Sequence, residues 1–105
     1  MPTATAKFHV GQLIHHKLFD YRGVVIDVDP EFANTEEWYK HVARSRPPKD
    51  QPWYHVLVDG SDLQTYVAER NLEPDENGGP INHPEIARYF GTLNDGTYVP
   101  RAKGN

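Results

Sequence analysis

The stretch PWYHVLVDG, residues 52–60, places two aromatic rings, a histidine and an aliphatic run within nine residues. Alternate positions starting from Trp53 and from Tyr54 are both largely apolar, so the pattern predicts a strand that packs on both faces. The Asp59-Gly60 pair that follows is typical of a hairpin turn. We expect one of the rings of Trp53 and Tyr54 to lie in the core and the other on the surface, and alternation does not say which.

Similar short, apolar-rich segments lie on both sides of this strand. The predicted strands are residues 8–16, 24–29, 53–58, 63–67 and a short one near 72–73. In the second of these, Val24, Ile26 and Val28 share one face by alternation, whereas Val25 and the two aspartates share the other. Strands this short need closure or self-association to hide their edges. The pattern therefore predicts a mainly β fold, a small five-stranded SH3-like barrel.

Two segments favour short helices instead. Asn34 followed by Glu37 resembles a capping box, and Trp38 and Val42 lie one helical turn apart before two consecutive prolines. A histidine-proline pair opens the other segment. The predicted helices span about residues 35–44 and 83–90. Residues 92–99 either close a terminal hairpin or remain loose.

The composition limits the classes of function. A chain of 105 residues with 37% hydrophobic residues predicts one compact domain with a lean core. It contains no cysteine, no apolar run near the ~18 residues of a membrane helix and no export leader, so we expect a cytoplasmic protein. Net charge is −4, which argues mildly against phosphate neutralisation as the main activity. The charge is uneven, because residues 1–49 carry +1 and residues 50–105 carry −5.

Catalytic and metal-binding signatures are weak. His15 and His16 are adjacent, so on a strand they point to opposite faces and do not readily share one ion. The six histidines show no His-x-x-x-His spacing. Asp27 and Asp29 share a strand face and could act as an acid–base pair, although such pairs are more often solvated. We expect no enzyme, no metal and no cofactor.

Basic residues interleaved with aromatic residues are the most informative feature. Between Trp38 and Lys49 there is no acidic residue, and a second basic-aromatic cluster precedes the strand at residues 24–29. Arg and Lys bind phosphates and aromatic rings stack on bases, so the pattern suits nucleic acid; it also suits an acidic protein partner or a solvated loop without function. The candidate binding residues are Lys17, Tyr21, Arg22, Lys40, Arg44, Arg46, Lys49, Trp53 and Tyr66.

The run FHVGQLIHHKLFDYRGVVIDVDPEF, followed by PWYHVLVDGSDLQTYVAERNLEPD, resembles the YccV-like family of hemimethylated DNA-binding or HspQ heat-shock proteins. The likeness covers about residues 8–75. It implies an SH3-like barrel able to self-associate, and it carries over no catalytic residue. We expect this barrel at residues 8–75, with a helical insertion at about 34–50. Residues 76–105, where the sequence departs from the enterobacterial pattern, are expected to form an acidic linker, a short helix and a tail.

The resemblance implies two functions. One is a stress-associated adaptor, or specificity-enhancing factor, that binds a Lon-like protease or its substrates. The other is a DNA-binding module that prefers hemimethylated duplex. We favour the adaptor because the chain is acidic overall and shows no residue that would read a single methyl group.

Overall fold

The computed structural model describes residues 5–43 and 45–101, and this part of the chain contains seven strands, two α-helices and one 3₁₀ turn. The strands are β1 (Leu13–His16), β2 (Arg22–Asp29), β3 (Trp53–Val58), β4 (Gln64–Ala68), β5 (Leu72–Pro74), β6 (Phe90–Asn94) and β7 (Thr97–Pro100). The helices are α1 (Glu36–Val42) and α2 (Ile86–Tyr89), and the 3₁₀ turn is Glu69–Asn71. None of these helices is long and apolar enough to cross a bilayer.

Five strands form one antiparallel sheet in the order β4-β3-β2-β1-β5, and β6 pairs with β7 in a separate hairpin. Neighbours in the chain are neighbours in the sheet from β1 to β4, as is usual for consecutive strands. Short turns join β1 to β2 and β3 to β4, whereas the helical insertion joins β2 to β3. The 3₁₀ turn then returns the chain to β1 as β5. This arrangement confirms the predicted mainly β, barrel-like fold.

Two hydrophobic clusters lie on opposite faces of the sheet. The first contains Phe8, Ile14, Val25, Tyr54, Val56, Val67 and Leu72. The second contains Leu13, Val24, Leu57, Ile81, Phe90 and Tyr98. Side chains at successive strand positions point to opposite faces, which is why Tyr54 and Leu57 belong to different clusters. β3 is buried on both faces, as its sequence predicts.

A β-bulge in β2 changes which of its residues share a face. The pairing with β3 shifts between Val25 and Asp27. An extra residue at this point reverses the alternation beyond it. Val28 therefore packs with Val25 against the first cluster, whereas Ile26 packs against the second. The prediction that Val24, Ile26 and Val28 share one face is wrong beyond the bulge.

The first strand is shorter than predicted because the chain turns at Gly11. This glycine has φ +92°, and a Cβ atom there would lie 2.1 Å from the Tyr98 carbonyl oxygen. Its N–H donates to Val25 (2.8 Å), and its carbonyl accepts from Tyr98 (2.7 Å). Gly11 thus joins β2 to β7, and β1 begins only at Leu13.

The insertion between β2 and β3 contains the expected helix, with a different cap. Thr35 is the N-cap, and its hydroxyl accepts a hydrogen bond from the Trp38 N–H (3.1 Å). Asn34 accepts instead from the N–H of Thr35, so the predicted Asn34 cap is wrong by one position. The Tyr39 hydroxyl donates to the Pro47 carbonyl (2.7 Å), which ties the helix to the chain that leads into β3.

The C-terminal segment is packed against the sheet. Ile81, Phe90 and Tyr98 cover Leu13 and Leu57 in the second cluster. The hairpin at residues 92–99 forms, and α2 is shorter than the predicted helix at 83–90. The predicted boundary at about residue 75 therefore does not separate the core from a tail, because residues 81–98 complete the core on one face.

Candidate functional site

An open groove of about 960 Å³ runs along β4, the edge strand of the sheet. One wall is the turn between β1 and β2, which carries Leu18 and Phe19. The other wall is the insertion, which contributes Trp38 and Val42. No Asp, Glu, Lys or Arg lines the groove among the residues that the structure describes. The described part of the groove is therefore largely apolar and carries no Asp, Glu, Lys or Arg side chain.

At the insertion wall, aromatic rings of the insertion pack against aromatic rings of β3 and β4. Trp53 and Tyr66 are stacked, with ring centroids 5.1 Å apart, and Trp38 meets Tyr66 edge-on at 5.5 Å. Phe32 packs against Trp53 at 4.9 Å. The Trp53 indole N–H donates to the Pro48 carbonyl (3.0 Å). These contacts attach the insertion to the sheet face that carries Trp53 and Tyr66.

Both aromatic residues that open β3 are buried, so the prediction that one of them lies on the surface is wrong. Trp53 is 1% exposed and Tyr54 is 0% exposed. The insertion covers the Trp53 face, and the first hydrophobic cluster encloses Tyr54, whose hydroxyl donates to Glu69 (2.5 Å). Alternation identifies opposite faces of a strand but does not show that a distant segment covers each of them.

The turn wall projects apolar side chains into solvent. Phe19 is 74% exposed and Leu18 is 57% exposed. Nδ1 of His16 accepts hydrogen bonds from the backbone N–H groups of both residues, each at 3.1 Å. The His16 and Phe19 rings also stack at 4.7 Å. Burial lowers the pKa of His16, so its ring is neutral near pH 7 and Nδ1 remains an acceptor.

A group of ionisable side chains lies beside the groove on β2 and β3. Single ligand atoms of Asp27, Asp29 and His55 all lie within 4.8 Å of one another. One oxygen of Asp29 accepts from the Tyr66 hydroxyl (2.7 Å) and contacts His55 Nε2 at 3.2 Å. Burial, followed by the hydrogen bond to Asp29, raises the pKa of Tyr66 well above its usual range. The group thus anchors Tyr66. Strand alternation in the sequence predicts that the two aspartates share a face, but it does not predict that His55 lies beside them.

Two of the predicted basic residues are paired within the protein. Arg22 donates to Asp75 (2.9 Å) and Asp59 (3.2 Å), and also to the Gly79 carbonyl. Lys49 pairs with Glu36 and lies over the Tyr39 ring. Both side chains are therefore occupied in holding loops together. The sequence alone does not show this, because the partners of Arg22 lie more than 35 positions along the chain.

The other predicted residues are divided between the groove and the outer surface. Tyr21, Trp53 and Tyr66 line the groove, and the Tyr21 hydroxyl contacts the Thr65 hydroxyl (2.8 Å). The exposed cations are Lys17 beside the turn wall and Lys40 and Arg46 on the insertion. Arg44 lies outside the described residues.

The most exposed apolar residues of the groove are not among the candidate residues predicted from the sequence. Leu18, Phe19 and Val42 are all more than half exposed, and all three line it. One local signal was present: Leu18-Phe19 is an apolar pair in a turn that also holds Lys17 and Asp20. Adjacent exposed apolar residues that form part of a larger apolar patch are typical of interaction sites.

The comparison with known families agrees with this architecture. A sequence profile of the YccV-like family, described as hemimethylated DNA-binding protein YccV like, matches residues 6–97. The matched range includes all five strands of the sheet, the insertion and most of the C-terminal hairpin. The chain therefore belongs to the YccV-like family.

Proposed function

We propose that this protein is a non-catalytic, cytoplasmic binding module whose groove holds an apolar segment of a protein partner. In this proposal it acts as an adaptor that presents such segments to a Lon-like protease. The single observation that carries the proposal is the exposure of Phe19 in a groove whose described lining is largely apolar and has no Asp, Glu, Lys or Arg. Contiguous exposed apolar surface of this kind is typical of interaction sites.

The chemistry of the groove favours polypeptide over phosphate. Phosphate groups are bound mainly by Arg and Lys side chains, and neither lines the described part of the groove. Aromatic rings such as Trp38 and Tyr66 supply large contact areas at low entropic cost, which suits apolar side chains of a partner. Asp29 is engaged by Tyr66 and His55, so an acid–base role for the Asp27 and Asp29 pair has little support.

The proposal is tested by degradation of casein by the cognate Lon protease, with and without this protein. We expect the protein to change the degradation rate, and Phe19→Ala to abolish that change. Leu63→Ala is the matched control, because Leu63 is 58% exposed and does not line the groove. Equal effects of the wild type and Phe19→Ala on several substrates would exclude the groove as the adaptor surface.

A second candidate function is binding of hemimethylated duplex DNA, which the family description favours. The exposed cations Lys17, Lys40 and Arg46 lie on the two segments that form the groove walls. They could contact the phosphate backbone while the groove rings stack on displaced bases. A gel-shift titration with hemimethylated, fully methylated and unmethylated duplexes tests this function. Binding should weaken steeply between about 50 and 200 mM salt if several phosphates are contacted.

A further inference from the structure

The edge of β4 that faces away from β3 is a row of main-chain donors and acceptors. Val58 N–H donates to the Leu63 carbonyl, and Glu69 N–H donates to the Pro52 carbonyl. Both bonds fit the register in which Tyr54 lies opposite Val67.

In antiparallel pairs, residues that exchange hydrogen bonds alternate with residues that do not. Thr65 and Val67 therefore face β3, whereas the N–H and C=O groups of Gln64, Tyr66 and Ala68 point outward.

These outward groups have no strand beside them. β4 is the last strand of its sheet, and within the described residues no hydrogen bond outside the helices and strands reaches the main chain of Gln64 or Tyr66. The Ala68 carbonyl is not free, because Ala68 is the N-cap of the 3₁₀ turn and its carbonyl accepts the first bond of that turn. All five residues of β4 line the groove. Groups facing one side of a strand recur every second residue, at about 6.6–6.8 Å, which is the spacing that another extended chain presents.

The two groove walls lie on opposite faces of this edge. Tyr66 belongs to the face covered by Trp38, because the two rings are in contact. Thr65 and Val67 belong to the other face, where Thr65 meets Tyr21. A chain added beside β4 would therefore have side chains on both of its faces in contact with apolar walls. Strands buried on both faces carry continuous apolar runs rather than alternating ones.

We propose that the occupant of the groove is an extended, uncharged segment of a partner protein, apolar at consecutive positions, which adds to β4 as a sixth strand. Such segments are the interior strands of folded proteins, and they become accessible when a protein unfolds. This inference rests on the proposed function and specifies what the groove selects. Main-chain hydrogen bonds supply affinity for any extended segment, and the two walls supply the preference for apolar runs.

The first test uses the peptide acetyl-GTVFVTG-amide and residue-resolved amide hydrogen exchange. At saturating peptide, exchange of the Gln64 and Tyr66 amides should slow about tenfold or more, whereas the already paired Thr65 and Val67 amides should change little. Ala68 is only 2% exposed in the free protein, so its amide is not used as a reporter. The peptide acetyl-GTVDVTG-amide is the control and should not bind. Uniform protection across β4, or no binding of the first peptide at 1 mM, would overturn the inference.

The second test methylates peptide nitrogens one at a time. Methylation at one parity of positions should weaken binding about tenfold, and methylation at the other parity should be tolerated, because only alternate N–H groups face β4. Gln64→Pro should weaken binding relative to Gln64→Ala, since the lost N–H points outward and the pairing with β3 is retained.

Two outcomes separate this inference from the proposed function. If the peptide binds and needs Phe19, but methylation weakens binding equally at odd and even peptide positions, the groove binds apolar segments and strand addition is refuted. If the alternating protection appears without peptide and grows with protein concentration, the occupant is a second copy of this chain and the partner-segment inference is overturned. The casein degradation assay tests the proposed function separately, and its result does not depend on either of these two outcomes.

Discussion

Replacement of Phe19 by alanine should weaken partner binding about 30-fold at small cost to the fold. The ring is 74% exposed, so about 150 Å² of a side chain of roughly 200 Å² remains available to a partner. At about 25 cal/mol per Å², complete burial would contribute at most about 3–4 kcal/mol. Ordering the ring and incomplete burial reduce this to about 2 kcal/mol, which is about a 30-fold loss of affinity.

The same variant should remain folded, because the ring contributes little to the core. Its main intramolecular contact is the stack on His16, and such a pair contributes about 0.5–1 kcal/mol. Urea denaturation measures this cost, and fluorescence anisotropy of labelled unfolded casein measures affinity. Leu63→Ala, which removes a similarly exposed apolar residue away from the groove, should leave both quantities unchanged.

Two results would refute this reasoning. If Phe19→Ala binds casein as tightly as the wild type, the exposed ring is not part of the binding surface. If Phe19→Ala and Leu63→Ala lose affinity equally, binding depends on general surface hydrophobicity and the groove has no special role. In the second case the stability measurement shows whether unfolding accounts for the loss.

The remaining predictions concern the framework that supports the groove. Tyr54→Phe should lower the free energy of unfolding by about 2–3 kcal/mol in urea, because the buried hydroxyl donates to the Glu69 carboxylate. Gly11→Ala should cost about 3 kcal/mol or more, or prevent folding, since its Cβ would overlap a carbonyl of β7 and its φ is positive; circular dichroism during heating measures this loss. The pKa of His16 is lowered by burial, so its contribution to stability is complete above about pH 6.5 and declines as the pH falls. The pKa of His15 is raised by carboxylate hydrogen bonds, so its contribution is present in acid and is lost as the pH rises; urea unfolding of His15→Gln from pH 7.5 to 5 should therefore show the steeper acid loss.

Local sequence patterns were sufficient to predict the strands of the main sheet and to identify the family. The alternation in PWYHVLVDG predicts a strand buried on both faces, and β3 is such a strand. Short strands separated by turns predict the five-stranded sheet, and the run of motifs from Phe8 to about Asp75 identifies the family. These features follow from side-chain period and turn chemistry, which act over a few residues.

Charge pairing and exposure depended on contacts between distant segments. From the sequence, Arg22 is a candidate phosphate-binding residue. In the structure it is paired with Asp59 and Asp75, which come close to it only when the sheet forms. The two rings that open β3 are both buried because different segments cover its two faces. Neither result follows from any window of sequence around the residue concerned.

The amino-acid sequence by itself therefore determined that this chain forms a small β barrel of the YccV-like family with a helical insertion. Tertiary structure decided where the groove lies, that no Asp, Glu, Lys or Arg among the described residues lines it, and that the edge of β4 lies open along it. The physical reason is the distance in sequence over which each effect acts. Strand period and turn preference depend on neighbouring residues. A groove exists only where the turn after β1 and the insertion before β3, which are separated in sequence by the whole of β2, meet at the same sheet edge.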